Sequence, residues 1–187
     1  MDLDKALSNL NQEIFDTGCK IVYLGDKLIR HPSFPFMFGK TIYLPSRKWL
    51  AEDKVRALAF LAHKLIHIHD RKRDGFTYTI NYWTSAESRY MYELRAYTAS
   101  ILVVVMVFGA ANEEFINHVI ETMERWVYFG MMHGRYIDTW FILNNASESL
   151  QRMISISKEG NSKDIIYEGY HTEVYSPALN HVWRALQ

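Results

Sequence analysis

His63 and His67 are the residues of this chain best placed to do chemistry. They lie in the run Ala62-His63-Lys64-Leu65-Ile66-His67. Two histidines four apart on a helix share one face and can present ring nitrogens to a single tetrahedral cation such as zinc. In the His-Glu-x-x-His arrangement that carries this spacing, the glutamate beside the first histidine is the base that takes a proton from water. Here that position is Lys64. An ammonium group has no lone pair to accept a proton, and its ordinary pKa of about 10 keeps it charged at neutral pH. The spacing of the metal ligands is therefore kept and the base is missing, so no catalytic residue is expected.

Zinc needs a third protein ligand, and a carboxylate on the following helix would supply it while leaving the fourth position to water. Glu93 sits on that helix. Asp70, one turn beyond His67, could orient the free ring nitrogen of His67, although such an aspartate is as often simply solvated. Tyr97 or Tyr136 could stabilise an oxyanion, but the chain has 12 tyrosines and most must serve packing. His69 projects away from the pair. His31, His118, His133, His171 and His181 have no assigned partner, and Cys19 has no adjacent base to activate it. A bare His-x-x-x-His spacing also fits two helix histidines hydrogen-bonded at the edge of a core, so the surrounding elements must discriminate.

Those elements are legible in the hydrophobic pattern. Leu3, Leu7, Leu10 and Ile14 recur at helical spacing after Asp2 and before Gly18, which predicts a first helix. Cys19 to Leu24 and Lys40 to Leu44 are short β-branched or aromatic runs and read as strands, with an irregular aromatic loop from His31 to Phe36 between them. A long helix is expected over about 46–71, through Val55, Leu58, Leu61, Leu65 and Ile68, its basic end Arg71-Lys72-Arg73 complementing the helix dipole. Phe76 to Trp83 alternates aromatic and polar residues, which predicts a partly exposed strand or extended loop. A glutamate-bearing helix follows over about 85–109, capped by Thr84 or Ser85 and carrying Glu87, Tyr90, Glu93, Leu94 and Tyr97. Further helices are expected from Asn112, from about Asp138 to Ile156, and after Ser176-Pro177. The sum is an α+β chain, mostly helical, with a small N-terminal sheet and one domain over 1–187.

Composition narrows the function classes. With 21 basic and 21 acidic residues there is no bulk field to draw the chain onto nucleic acid or an anionic membrane, and neither is expected as a partner. A single cysteine precludes an internal disulfide, and the N-terminus lacks the pattern of a signal peptide. A cytoplasmic location is the expectation. The apolar run from Ala99 to Ala111 falls short of the roughly 20 residues that span a bilayer and reads as a buried helix. Trp126, Tyr128, Phe129, Met131, Met132, Tyr136, Trp140 and Phe141 exceed what one helix needs for its core. They serve either an interface or packing against the rest of the domain.

Taken together, the residues resemble the zincin metallopeptidases of the gluzincin type, and most closely small zincin-like proteins of bacteriophages. The matching segments are the strand Thr41 to Pro45, the helix segment Ala62 to His67, the aromatic segment Tyr78 to Trp83 and Glu93-Leu94-Arg95-Ala96-Tyr97. The likeness covers about residues 40–100. It implies a zincin-like fold and zinc held by His63, His67 and Glu93, with Asp70 and Tyr97 behind them. The third histidine of metzincins would fall at position 73, where Arg73 stands. Three states of the site follow for Lys64: zinc bound with the lysine turned away, an empty site with a Lys64–Glu93 salt bridge, or a lysine of depressed pKa acting as an unusual base. The chain is then either a metallopeptidase-like protein with lost or impaired activity, or a structural or assembly protein of a phage virion, such as a connector or neck or tail component. The second reading adds protein partners, a homo-oligomer or a virion assembly, and a location in the host cytoplasm or the virion.

Overall fold

The computed structural model describes residues 1–25, 35–124, 135–160, 162 and 178–187. Among these the chain is mostly helical with one small sheet. Helix α1 (Leu3–Asp16) starts where the Asp2 side chain accepts from the backbone N–H groups of Asp4 and Lys5, and it buries Ala6, Leu7, Leu10 and Ile14. Strands β1 (Lys20–Tyr23), β2 (Phe36–Phe38) and β3 (Thr41–Leu44) form a sheet in the order β1-β3-β2. β1 runs parallel to β3, Lys20 opposite Thr41, and β2 runs antiparallel to it, Phe36 opposite Tyr43. Ile42 and Leu44 of β3 are fully buried.

The helix expected over 46–71 is two helices. α2 (Arg47–Glu52) is capped by Ser46, and α3 (Lys54–Asp74) begins after Asp53, whose extended backbone breaks the run and whose carboxylate accepts from Arg56 N–H. Helix propensity is satisfied on both sides of the break, and a side-chain cap compensates the N–H groups it frees. Gly75 closes α3 with a positive φ of 59°, a conformation glycine adopts without steric cost.

A second difference lies at Phe76 to Trp83, where alternation predicts a partly exposed strand or an extended loop. The segment is helix α4 (Phe76–Thr84). Tyr78 and Tyr82, four apart, turn inward together, while Phe76, Ile80 and Trp83 remain exposed on the other side. Period-4 pairing of the tyrosines, rather than period-2 alternation, governs the segment. β2 likewise takes Phe36 into a strand where a loop was expected, and Gly39-Lys40 forms the turn before β3.

Helix α5 (Ala86–Phe108) packs more extensively on α3 than any other pair of elements pack on each other. Ala59 and Ala62 on one helix and Ala96 and Ala99 on the other are buried small side chains, and the Ser100 hydroxyl donates to Ala59 O at 3.0 Å across the contact. α5 is long and apolar enough to cross a membrane, yet 67% of that apolar window is buried inside the fold. Helix α6 (Glu113–Glu124) follows Asn112, whose side chain accepts from Phe115 N–H. α7 (Tyr136–Glu159) is joined to α5 by the Tyr90–Thr139 hydroxyl pair at 3.0 Å. α8 (Leu179–Leu186) returns the chain end to α1, where Asn9 donates to Ala185 O at 3.1 Å and Trp183 is fully buried. One apolar cluster runs from Ala6 to Leu186 through α3 and α5.

Several sequence expectations fall outside the described residues. These are His31, His133, His171, Ser176-Pro177 and the aromatic group Trp126, Tyr128, Phe129, Met131 and Met132, together with the side chain of Tyr136. Of the same aromatic group, Trp140 is half-buried and Phe141 exposed.

Candidate metal centre

α3 and α5 bring His63, His67 and Glu93 together at the middle of their contact. The three are exposed by 5%, 7% and 1%. The two histidine Nε2 atoms lie 2.9 Å apart, and the Glu93 carboxylate sits 3.2 Å from His63 Nε2 and 3.3 Å from His67 Nε2. Ligands at the usual zinc distances occupy corners about 3.3–3.4 Å apart on a tetrahedron, so the carboxylate is already placed and the two rings need only a small separation. Glu93 Oε2 and His63 Nδ1 are buried without a hydrogen bond. An unbonded carboxylate oxygen beside an imidazole nitrogen is costly unless a cation or proton occupies the space between them. The donor set fits a divalent metal.

Helix α4 covers this centre. The Tyr82 hydroxyl donates to Glu93 Oε1 at 2.5 Å, and the Tyr78 hydroxyl lies 3.1 Å from His67 Nδ1. With His67 Nε2 facing the cluster, the Nδ1 side is held by Tyr78, the tautomer-fixing contact that ligand histidines use. Burial, followed by the charge of Glu93, pushes both phenols well above their ordinary pKa, so they stay protonated. Tyr97 stands edge-on to His63 with ring centroids 4.5 Å apart. Tyr78 and Tyr82 were missed by the sequence reading, and their i, i+4 spacing was the signal that could have found them.

Asp70 takes a different place from the one expected. It is buried beside the centre, yet its carboxylate meets Arg73 at 3.1 Å and Arg95 at 3.3 Å, while the outer nitrogen of His67 belongs to Tyr78. Asp70 therefore braces α3 against α5 through arginine. His69 does point elsewhere, stacking on His181 with centroids 4.4 Å apart, and His181 meets Glu13 at 3.2 Å. His118 is exposed on α6, and Cys19 is buried.

The electrostatics favour an ionised Glu93 and a neutral His63. Burial alone would raise the Glu93 carboxyl, but the charge of His67 and the contacts with both histidines outweigh it and hold Glu93 well below the usual carboxylate range. Burial, assisted by the Lys64 charge, lowers His63 to about 3 despite the opposing pull of Glu93. His63 is thus a neutral imidazole at physiological pH, the form that ligates metals. Lys64 itself is held below its ordinary value by burial, partly offset by Glu93. Its Nζ lies 5.3 Å from the Phe60 ring centroid, and no ion pair joins it to Glu93. The salt-bridged arrangement considered for Lys64 is not formed.

Compared with family models, with curated proteins and with solved structures, the chain finds no match in any of the three.

Proposed function

We propose that this chain is a zincin-like, metallopeptidase-related protein that holds zinc at His63, His67 and Glu93 for structure, with peptide hydrolysis lost. The observation that carries this reading is the convergence of three buried donors from two helices, with their ligand atoms within 4.8 Å of one another. Zinc bound there supplies a cross-link between α3 and α5 and a counter-charge for the orphaned carboxylate. Tyr78 fixes the orientation of His67, and Tyr82 fixes that of Glu93. Two further observations support a non-hydrolytic use. Lys64 cannot accept a proton while it is an ammonium, and ligands exposed by no more than 7% leave little access for a substrate. Catalytic zinc sites keep a position open.

Metal analysis of the purified chain tests this directly. One zinc per chain is expected, lost when His63 and His67 are both changed to alanine, and protein refolded with zinc that retains none would sink the proposal. A Lys64→Glu variant adds the second half. Peptide hydrolysis by the variant and not by the parent identifies the lysine as the only lesion, whereas inactivity of both, with zinc bound, favours a scaffold.

An assembly role, including that of a phage virion component, draws support from the outer face of α4. Phe76, Ile80 and Trp83, at i, i+4 and i+7, are exposed by 78%, 45% and 62%. Contiguous exposed apolar residues of this kind mark surfaces that a partner covers. Sedimentation of the purified chain tests it: a ring or larger closed assembly is expected, and a monomer at all concentrations refutes it.

A further inference from the structure

α3 also borders a surface cleft. Ile68 and Lys72 lie roughly 100–180° around the helix from His63 and His67, and Arg71 lies one turn beyond His67; the three wall a half-open cleft of about 490 Å³ bounded by the end of α1, the β2–β3 turn and the start of α4. That volume falls within the roughly 300–1,000 Å³ typical of small-molecule sites. The cleft combines two features.

The first is charge. Lys40, Arg71 and Lys72 all line the cleft, and none of its lining residues among the described residues is acidic. In a chain of zero net charge this is a local excess of three positive charges. None of the three forms an ion pair among the described residues, although Lys48, Lys54, Arg56, Arg73, Arg95 and Arg135 all do. Arg71 is fixed at the mouth by donating from Nη1 to Gly39 O at 2.9 Å, which leaves its other N–H groups for an anion.

The second feature is the apolar interior. Cys19 and Ile68 are buried in the wall, Met37 lies beside them, and Phe76, 78% exposed, forms one lip. Among the described residues only Thr17 and Thr79 add uncharged polar side chains, and the Thr17 hydroxyl is already committed to Ile14 O. A nucleotide base would find few groups to read its edges. An alkyl chain needs none.

We infer that this cleft binds a free single-chain acyl carboxylate, its head on Lys40, Arg71 and Lys72 and its tail against Cys19, Met37 and Ile68. The inference uses none of the residues of the metal centre. Methionine suits such a wall because its unbranched side chain adapts to a flexible ligand.

Calorimetric titration of the full chain with sodium decanoate, below its micelle concentration, tests the proposal. Affinity is expected to rise by up to about fourfold for each methylene from hexanoate to decanoate. Decyltrimethylammonium, with the same tail and opposite charge, is expected not to bind. Losing one charged contact in Lys72→Glu or Lys40→Glu, both at exposed positions, is expected to weaken decanoate by about tenfold or more. Cys19, the single cysteine, gives a readout at the site itself: decanoate is expected to slow its reaction with a thiol reagent. Equal affinity for the cationic and anionic amphiphiles, no chain-length dependence, or unchanged Cys19 reactivity at saturating decanoate would each overturn the inference. Binding to anionic phospholipid vesicles without binding of monomeric decanoate would overturn it in favour of a membrane surface.

Discussion

Replacing Glu93 by glutamine tests the electrostatics of the centre with almost no change of shape. In the metal-free protein the carboxylate faces His63 at 3.2 Å and His67 at 3.3 Å and accepts from Tyr82 at 2.5 Å. Hydrogen bonds to charged groups contribute about 1.5–3 kcal/mol each against about 0.5–1.5 for neutral ones, so the downgraded Tyr82 bond and the loss of a negative charge facing two imidazoles together cost several kcal/mol. Part of that loss is offset, because the amide avoids the desolvation cost of a carboxylate exposed by only 1%. The direction of the Glu93 pKa decides which effect wins. It is held well below 4.5 despite burial, so the charged form is stabilised by its surroundings more than burial penalises it. A net loss of about 2–3 kcal/mol is expected, and at about 2–4 °C per kcal/mol for a chain of this size Tm falls by roughly 4–12 °C. The pH dependence follows. An acid whose folded pKa is depressed contributes stability that is present above the unfolded value of 4.5 and is lost as pH falls through the folded value. The gap between parent and Glu93→Gln, measured by calorimetry after chelation, should therefore be full at neutral pH and close under acid conditions below 4.5. Equal Tm values at neutral pH, or a gap unchanged by acid, would refute the reasoning.

Zinc added to the chelated parent is expected to raise Tm, since a ligand at 100 times its Kd adds about 2.7 kcal/mol, and the rise should vanish in the His63→Ala, His67→Ala double variant. Lys64→Met should stabilise the metal-free protein at neutral pH, by about 1 kcal/mol or more. The lysine pKa is depressed by burial, so its cost is greatest where it must stay charged and fades as pH rises towards its ordinary value of 10.5; a destabilised variant at neutral pH would contradict this. Arg95→Met removes one of the two arginines on Asp70, a carboxylate whose side chain is fully buried. A loss of about 3–5 kcal/mol is expected in urea unfolding, because one charge is left underpaired, and a loss under about 1 kcal/mol would show that Arg73 alone suffices.

Long periodic segments were the most legible parts of this chain. α1, α3 and α5 follow from apolar spacing and caps, because an amphipathic stripe of several turns has few other ways to be buried. The short elements were less legible. α4 reads as a strand or an extended loop, since a nine-residue segment whose tyrosines fall at 78 and 82 satisfies both an alternating and a helical template. The break at Asp53 is equally hidden, because a capping aspartate resembles any other polar residue inside a helix.

The sequence by itself determined the four-residue spacing of His63 and His67, the lysine beside His63 and the helices that carry them, because these depend only on residue identity and local periodicity. Tertiary structure decided the partners. Packing of α5 on α3 put Glu93 between His63 and His67, packing of α4 gave Tyr78 the outer nitrogen of His67, and Asp70 was left to Arg73 and Arg95. Which groups meet across a helix interface depends on axial offset and rotation, and those are set by how the whole apolar surface interlocks.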